Sequence, residues 1–296
     1  KDNLGVTLLK VMGLSPRNRD LIEWVNLANK IPKIKKEVRI GVVGKYFNFK
    51  SVKDTYISVI ESIHHAAWAQ NLKPDILWLD SEKYEKNSKL LSELDKLDGI
   101  IVPGGFGARG VEGMILAAGY ARRKKIPYFG LCYGMQLMVI EYARNVLGMK
   151  DAHTSEINPN AKNLVIDIMP EQKKNLKEKN YGATMRLGAY PAVLKKGTVA
   201  YGAYGIAEIS ERHRHRYEVN PEYIERIQKV GLVFSGTSPD GRLMEIAELS
   251  KTVHPFYLGV QFHPEFKSRP LCPHPLFTAF IKVCLRQAGL RLRGKK

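Results

Sequence analysis

The chain has 296 residues, of which 44% are hydrophobic, and this is enough to bury one large core. No apolar run approaches the roughly 18 residues that a transmembrane helix needs, and the first residues form neither a signal peptide nor a transit peptide. We therefore expect a cytoplasmic protein that has no membrane partner. The three cysteines show no CxxC spacing, so the sequence indicates neither a disulfide framework nor a metal site.

The formal net charge is +18, which favours anionic partners such as nucleotides, nucleic acid or an acidic companion domain. The basic residues are scattered along the chain, and aromatic residues do not alternate with them as they do in surfaces that bind single strands. This pattern disfavours nucleic-acid binding, and a generically basic surface accounts for the charge.

The first 35 residues differ in pattern from the rest. Residues 1–35 are predicted to be an appendage that contains a short helix around Leu21–Leu27 and breaks at Pro32. From there a buried strand is predicted over Val38–Gly44. A helix follows it, opened by Ser51 and Asp54 as a capping box.

The next elements alternate between strands and helices, which is typical of a parallel, doubly wound sheet with helices on both faces. After Gly148 the predicted strands follow one another without helices, which indicates antiparallel additions at one edge. A closing helix is predicted over Pro275–Gln287, and residues 291–296 are predicted to be a basic tail. In chain order the remaining predicted elements are strands 76–79 and 99–102, helix 111–124, strand 128–131, helix 134–147, and strands 164–169, 192–199, 207–219, 231–236, 243–248 and 257–262.

Cys132 lies between Gly130 and Gly134, at the junction of a predicted strand and the following helix. The G-x-C-x-G spacing matches the nucleophile elbow of G-x-S-x-G, in which glycines allow a strained turn that exposes the nucleophile. The helix N-terminus would favour a thiolate. A buried structural cysteine is the alternative, and the flanking glycines and Gln136 argue against it.

His263 and Glu265 follow the last predicted strand. As residues i and i+2 of extended chain they would project to the same side, with Pro264 stiffening the segment between them. We predict that Glu265 orients the imidazole and that His263 transfers the proton.

The segment Pro103–Gly107 follows another predicted strand, so it is expected at the same edge of the sheet. Its glycines allow backbone N–H groups to face a ligand. We predict an oxyanion hole made by Gly104 or Gly105 together with the N–H of Tyr133. An ordinary turn between a strand and a helix is the alternative for this loop.

Two further segments carry basic residues. Gly44-Lys45 lacks the earlier glycine and the Ser or Thr of a Walker A phosphate loop, so we reject that assignment. Arg212, Arg214 and Arg216 alternate in a predicted strand and would make one face cationic, suited to a substrate carboxylate. A solvated basic edge strand would account for them equally well.

Taken together, the motifs resemble the class I glutamine amidotransferases, and among them the glutaminase domains of CTP synthases. The similarity covers roughly residues 36–290, and the segment before residue 36 resembles that family's interdomain linker. The motifs that carry the resemblance are, in chain order, Gly44-Lys45-Tyr46, Pro103–Gly107 with Arg109–Gly113, Cys132–Gln136, Thr184–Gly188, Glu211–Asn220 and Gln261–Phe266.

The resemblance implies a flavodoxin-like fold and a Cys-His-Glu triad of Cys132, His263 and Glu265 that forms a γ-glutamyl thioester. It also implies contacts to L-glutamine from Gly105, Tyr133, Gly134, Met135, Gln136, Glu156 and Arg216. Arg216 suits the α-carboxylate and Glu156 the α-ammonium group. Two departures concern the pocket and leave the triad intact. Tyr133 stands where these enzymes commonly have Leu, and Thr154–Ile157 replaces their usual Ser-Thr-Glu-Phe.

The glutaminase step needs no cofactor. The resemblance implies that ammonia passes to an N-terminal synthetase domain, which aminates UTP to CTP with ATP and Mg, and that the full-length enzyme forms homo-oligomers. It implies GTP as an allosteric activator near residues 182–188. We expect the synthetase domain to lie outside this chain, because no phosphate loop and too few residues precede residue 36.

Two other functions stay open at this point. One is a cysteine-dependent hydrolase or peptidase that acts on γ-glutamyl or peptide bonds, although Glu156 and Arg216 argue for recognition of a free amino acid. The other is a non-enzymatic module for nucleotides or nucleic acid, suggested by the net charge alone.

Overall fold

The computed structural model describes residues 4–15, 21–45, 55–168 and 185–293. The helices are α1 (Leu4–Val11), α2 (Ile22–Lys30), α3 (Ile57–Ala69), α4 (Ser81–Lys86), α5 (Val111–Lys124), α6 (Tyr133–Asn145), α7 (Val199–Tyr204), α8 (Pro221–Lys229) and α9 (Pro275–Arg293). The strands are β1 (Glu37–Gly44), β2 (Lys73–Asp80), β3 (Gly99–Val102), β4 (Tyr128–Leu131), β5 (Ala152–Thr154), β6 (Asn163–Ile168), β7 (Arg186–Leu194), β8 (Glu208–His215), β9 (Tyr217–Val219), β10 (Val233–Thr237), β11 (Met244–Glu248) and β12 (Tyr257–Val260).

A nine-stranded sheet forms the centre, in the order β2-β1-β3-β4-β12-β11-β10-β7-β8. The first five strands are parallel, and the other four are added antiparallel at the β12 side. The sequence-based expectation of a mostly parallel sheet with antiparallel edge additions is therefore confirmed. A second sheet of three strands, β5-β6-β9, stands apart from it.

Helices cover both faces of the large sheet and divide the hydrophobic core in two. Helices α5 and α6 pack on one face, where Met138 and Tyr128 are fully buried. Helices α3 and α9 pack on the other face, where Phe129 contacts Phe277 and Phe280 edge to face or tilted. Since neighbouring residues of a strand point to opposite faces, Tyr128 packs in one half of the hydrophobic core and Phe129 in the other.

Because β1, β3, β4 and β12 are parallel, their carboxyl ends lie at one edge of the sheet, where open α/β sheets bind ligands. The register of β4 and β12 pairs Gly130 with Gly259 and Leu131 with Val260. Cys132, which follows β4, and Gln261, which follows β12, are thereby placed side by side.

The segment before residue 36 contains two helices, α1 and α2, where the sequence predicted one. The closing helix α9 extends to Arg293, so the predicted tail from residue 291 begins inside it. The capping box at Ser51 and Asp54 lies outside the described residues. Within the described part of the chain, no helix is long and apolar enough to cross a membrane.

Several predictions after Gly148 were wrong, because α7 and α8 interrupt the strands that were expected to follow one another without helices. The strand predicted over 192–199 ends at Leu194, because Thr198 caps α7 by accepting from the N–H of Tyr201. Helix α8 was missed, although Asn220 accepts from the N–H of Glu222 as its N-cap and Pro221 is the first helical residue.

Candidate active site

A cavity of about 520 Å³ opens at the carboxyl edge of the sheet, at the ends of β1, β3, β4 and β8. The structure brings most of the residues singled out in the sequence to this one cavity. Those that line it are Gly104, Gly105, Cys132, Gln136, Glu156, Arg216, His263 and Glu265.

Cys132 occupies a strained turn between β4 and α6, with φ of 49° and ψ of −97°. Non-glycine residues rarely adopt a positive φ, so the surrounding structure must impose it. The flanking glycines allow this. A Cβ atom at Gly134 would lie 2.1 Å from the carbonyl oxygen of Val102, and one at Gly130 would lie 2.7 Å from the carbonyl carbon of Gly134. Both glycines of the G-x-C-x-G motif are therefore required for the backbone to pack closely around this turn.

The thiol of Cys132 lies among backbone and side-chain groups and is 5% exposed. The amide nitrogen of Gln261 lies 3.6 Å from Sγ and donates to it, and the carbonyl oxygen of Arg214 lies 3.9 Å from Sγ. The N–H of Cys132 donates to the carbonyl oxygen of Val260 at 2.7 Å. These contacts fix the sulfur between β4, β12 and β8.

His263 is held by Glu265, whose Oε1 lies 2.7 Å from Nδ1 of the imidazole. The sequence predicted this proximity from strand alternation, but the physical reason is different. Strand β12 ends at Val260, and Pro264–Phe266 forms a turn of 3-10 helix that places the carboxylate beside Nδ1 of the ring. Proline at its first position favours such a turn.

The pKa of His263 is raised to about 10. Burial alone would lower it, but the proximity of Cys132, and then the hydrogen bond and charge of Glu265, together outweigh burial. The bond at Nδ1 leaves Nε2 available, and this buried nitrogen has no hydrogen-bond partner among the described residues. Histidine and cysteine can therefore form an imidazolium–thiolate pair.

Residues 103–107, here named the glycine loop, run past the thiol after β3. A Cβ atom built at Gly104 would lie 2.8 Å from Cε1 of His263 and 3.7 Å from Cβ of Cys132. Only glycine fits at this position without displacing the imidazole. The loop therefore passes within reach of any atom bonded to Sγ.

Of the four residues 133–136 that were predicted to contact glutamine, only Gln136 lines the cavity. Gln136 donates to the carbonyl oxygen of Tyr217 at 3.0 Å. The side chains of Tyr133 and Met135 are buried in the core and do not line the cavity, and Gly134 packs against Val102. The helical pitch explains this, because only one face of α6 meets the cavity.

Glu156 and Arg216 lie on the cavity wall. Oε1 of Glu156 accepts from the N–H of Gly107 at 2.8 Å. Burial raises the pKa of Glu156, while that hydrogen bond and the charges of Lys45 and Arg216 oppose the rise. Nε of Arg216 is buried and has no hydrogen-bond partner among the described residues.

The cationic face predicted for three arginines is only partly correct. Arg212 and Arg214 lie on the exposed side of β8, but that strand ends at His215. Arg216 lies in the bend between β8 and β9, and this bend turns it into the cavity.

Lys45 is a cavity residue that the sequence argument missed. It is 2% exposed, and its Nζ donates to the carbonyl oxygens of Phe106 and, at 3.1 Å, of Gly107. Burial is the main cause that lowers the pKa of Lys45. Its position one residue after a buried parallel strand was the available signal, since the other site loops also follow such strands.

A buried ionic cluster beneath the cavity was also missed. Arg186 donates to Glu245 at 2.5 Å, and His213 lies 2.7 Å from the other oxygen of the same carboxylate. Glu218 lies near the cluster, with Oε1 3.3 Å from Nδ1 of His215. No arrangement of three or more His, Cys, Asp and Glu residues in the described ranges could hold a metal ion.

A family model described as glutamine amidotransferase class-I matches residues 51–283. The CTP synthase of Carboxydothermus hydrogenoformans is 52% identical over 286 residues, which are 97% of this chain and 52% of that protein. The CTP synthase of Sulfurisphaera tokodaii is 48% identical over 283 residues, 96% of this chain and 52% of that protein. The chain thus spans about half the length of these relatives.

Solved structures agree with the sequence comparisons. The glutaminase domain of Trypanosoma brucei CTPS, solved with bound acivicin, has a TM-score of 0.78 and 39% identity, and the match covers 84% of this chain and 94% of that one. A Thermoplasma acidophilum protein assigned to GMP synthase matches in fold, with a TM-score of 0.52 and 16% identity over 88% of this chain and 98% of that one. The chain belongs to the class I glutamine amidotransferases, among the glutaminase domains of CTP synthases.

Proposed function

We propose that this chain hydrolyses L-glutamine to glutamate and ammonia, with Cys132 as nucleophile, His263 as acid and base, and Glu265 as the residue that orients the imidazole. One observation carries the proposal. The strained turn at Cys132 and the 2.7 Å bond between His263 and Glu265 open into the same cavity. A nucleophile, a base and an orienting carboxylate are the parts that acyl transfer requires.

In the first half of the reaction, the Cys132 thiolate attacks the side-chain amide carbon of glutamine. A C–S bond forms, and the amide oxygen takes up negative charge, which backbone N–H groups of Gly104, Gly105 and Tyr133 stabilise. The C–N bond then breaks, and its electron pair leaves with nitrogen. The imidazolium of His263 gives that nitrogen a proton, so ammonia departs and a γ-glutamyl thioester is left.

In the second half, water attacks the thioester carbon and gives a proton to the neutral imidazole of His263. The C–S bond breaks, glutamate leaves, and the thiolate and imidazolium are restored. The pKa of about 10 supports the first half of this cycle, because His263 is then an imidazolium at neutral pH when the thiolate attacks and can protonate the departing nitrogen. The net reaction consumes one water for each glutamine.

We assign recognition of the amino-acid end to Arg216 and Glu156. A guanidinium suits the α-carboxylate, and the buried Nε of Arg216 needs a hydrogen-bond acceptor. One oxygen of Glu156 is engaged by Gly107, and the other is assigned to the α-ammonium group. Gln136, on the cavity wall, completes the contacts along the substrate. This pair favours a free amino acid over a peptide as substrate.

The use of ammonia is part of the proposal. The relatives are named CTP synthases, and this chain spans about half their length. We propose that ammonia passes to a synthetase domain that aminates UTP to CTP with ATP and Mg, with GTP as activator, in a homo-oligomer in the cytoplasm. No residue of this chain is assigned to ATP or Mg. Of the segment assigned to GTP, residues 182–184 lie outside the described residues.

The test is glutamate release from L-glutamine, measured with the synthetase domain and GTP present. Wild type should turn over glutamine, and Cys132→Ala should have no activity above background. Cys272→Ala is the matched control, because that cysteine is exposed and does not line the cavity, and it should keep the wild-type rate. Equal rates for wild type and Cys132→Ala would refute the proposal.

A further inference from the structure

The peptide group of Gly107 is held on both sides by side chains from three separate elements. Its N–H donates to Oε1 of Glu156 at 2.8 Å. Its carbonyl oxygen accepts from the hydroxyl of Tyr133 at 2.9 Å and from Nζ of Lys45 at 3.1 Å. Lys45 also donates to the carbonyl oxygen of Phe106. Three side chains therefore bind this one peptide group of the loop.

The two donors are themselves fixed. Lys45 follows β1 directly and is 2% exposed, and Tyr133 begins α6 and is 1% exposed. Nζ of Lys45 lies 5.3 Å from the centroid of the Tyr133 ring, a distance at which a cation and an aromatic face attract. Donors on a buried strand end and a buried helix start give the loop a rigid support.

The glycine loop has little packing of its own. The side chain of Phe106 is 74% exposed, and Gly107 adopts a φ of 77° with no heavy atom near its missing Cβ. Hydrophobic burial therefore does not fix this end of the loop. Its position depends on the bonds to its carbonyl groups.

The other end of the loop lies at the reacting atoms. A Cβ atom at Gly105 would lie 3.6 Å from Cε of Lys45 and 3.7 Å from Cδ1 of Tyr133, so both side chains also pack against this residue. Oxyanion donors work only within a few tenths of an ångström of the developing charge. A small shift at Gly107 would therefore reach the donors.

We propose that Lys45 and Tyr133 are positioning residues, which hold the glycine loop in the geometry that stabilises the tetrahedral oxygen by binding the carbonyl group of Gly107. This inference rests on the proposed glutaminase function and adds two residues to it. Tyr133 contributes to this support through its hydroxyl, which donates to the carbonyl oxygen of Gly107 at 2.9 Å.

The test is Tyr133→Phe in the natural full-length protein, which removes one hydroxyl and keeps the ring against Lys45. We expect kcat for glutamine hydrolysis to fall about fivefold while KM stays within about twofold, because the loop acts on the transition state. The rate at which iodoacetamide alkylates Cys132 should not change, since that reaction needs the thiolate and no oxyanion hole. Lys45→Met should lower kcat further.

Tyr142→Phe is the matched control. Tyr142 lies on the same helix and is buried, and its hydroxyl donates to the carbonyl oxygen of Val230 at 2.6 Å, away from the cavity. This variant should keep the wild-type kcat. An unchanged kcat in Tyr133→Phe, a parallel loss of alkylation rate, or an equal loss in Tyr142→Phe would each overturn the inference. Wild-type turnover that depends on Cys132 would stand in all three cases, so the proposed function is tested separately.

Discussion

Gly134 packs so closely on Val102 that a Cβ atom at the glycine would lie 2.1 Å from the valine carbonyl oxygen. The contact joins the start of α6, which carries the turn of Cys132, to the end of β3, from which the glycine loop departs. The turn of the proposed nucleophile and the glycine loop thus share one backbone contact. A side chain at this position would have to push apart Cys132 and the loop beside it.

We therefore expect Gly134→Ala to lower the free energy of unfolding by about 1–3 kcal/mol, as overpacking typically does, and to abolish glutaminase activity. Urea unfolding and glutamate release measure the two effects. The matched control is Gly202→Ala in α7, where the only heavy atom near the added methyl would be Nζ of Lys251 at 3.7 Å. There the better helix propensity of alanine should stabilise the protein by up to about 1 kcal/mol. A stable, active Gly134→Ala variant would contradict the packing argument.

Glu265→Gln should keep the fold and lose most of the activity. The amide keeps the shape of the carboxylate but cannot hold the imidazolium by charge, and it favours the wrong tautomer when it donates to Nδ1 of His263. By analogy with other triads we expect kcat to fall on the order of 10²–10⁴-fold, with a small change in KM. Steady-state kinetics on glutamine give both constants.

Glu208→Gln serves as the control for Glu265→Gln, because Glu208 is exposed at the start of β8 and does not line the cavity. Its kcat should match wild type. A loss below about threefold in Glu265→Gln would mean that the carboxylate does not orient His263 during turnover.

Cys132→Ala should lower the pKa of His263. The thiolate contributes the largest of the effects that raise this pKa, and without it burial, which lowers the pKa, is opposed only by Glu265. An NMR titration of the imidazole ring should give a value near 10 in wild type and a clearly lower one in the variant. Equal values in the two proteins would show that the thiolate does not act on the ring.

The same raised pKa predicts how stability depends on pH. Because the folded-state pKa lies above the unfolded value of about 6.5, the imidazolium stabilises the fold fully below about pH 6.5. This contribution is lost as the pH rises through about 10. The difference in unfolding free energy between wild type and His263→Gln should therefore shrink over that range, as urea unfolding at several pH values would measure. If the difference in unfolding free energy instead grew with pH, the pKa of His263 would not be raised in the folded state.

The sequence predicted those parts of the site that follow from local rules. Glycine, cysteine and proline have strong backbone preferences, so the turn at Cys132 and the segment around Pro264 could be located from the pattern alone. The parallel alternation of elements then placed both at one edge of the sheet. Most strands and helices from β1 to α6 were located for the same reason, although the short helix α4 after β2 was not predicted.

Other features depend on contacts that no local pattern records. Lys45 follows a buried strand like the other site residues, but its role depends on carbonyl groups about sixty positions away. The predicted strand over 207–219 divides at the bend that contains Arg216, and its two parts join different sheets. Alternation within β8 was visible in the sequence, whereas the burial of His213 and His215 on its inner side requires partners from β9 and β11.

The ionic cluster beneath the cavity allows a prediction that compares two buried carboxylates. Burial raises the pKa of Glu218 well above its usual range, and neither of its oxygens has a hydrogen bond among the described residues. Glu245, in contrast, is bonded by Arg186 at 2.5 Å and His213 at 2.7 Å. Burial therefore favours the neutral form of Glu218, although Arg186 lies 3.7 Å from it and opposes this, whereas Glu245 accepts hydrogen bonds from the buried guanidinium.

Glu245→Gln should lower the free energy of unfolding by about 3–5 kcal/mol, because it leaves the charge of Arg186 without its main buried partner. Glu218→Gln should stay within about 1 kcal/mol of wild type at pH 5, since the amide resembles the neutral carboxyl. The raised pKa of Glu218 determines that the stability of wild type falls as the pH rises. The neutral carboxyl is fully stabilising below the unfolded pKa, and wild type loses this contribution as the pH rises through the folded value, whereas the amide does not titrate. Urea unfolding from pH 5 to pH 9 should thus show that the free energy of unfolding of Glu218→Gln rises relative to that of wild type. An equal loss of stability in Glu218→Gln and Glu245→Gln at every pH would refute the distinction between the two carboxyls.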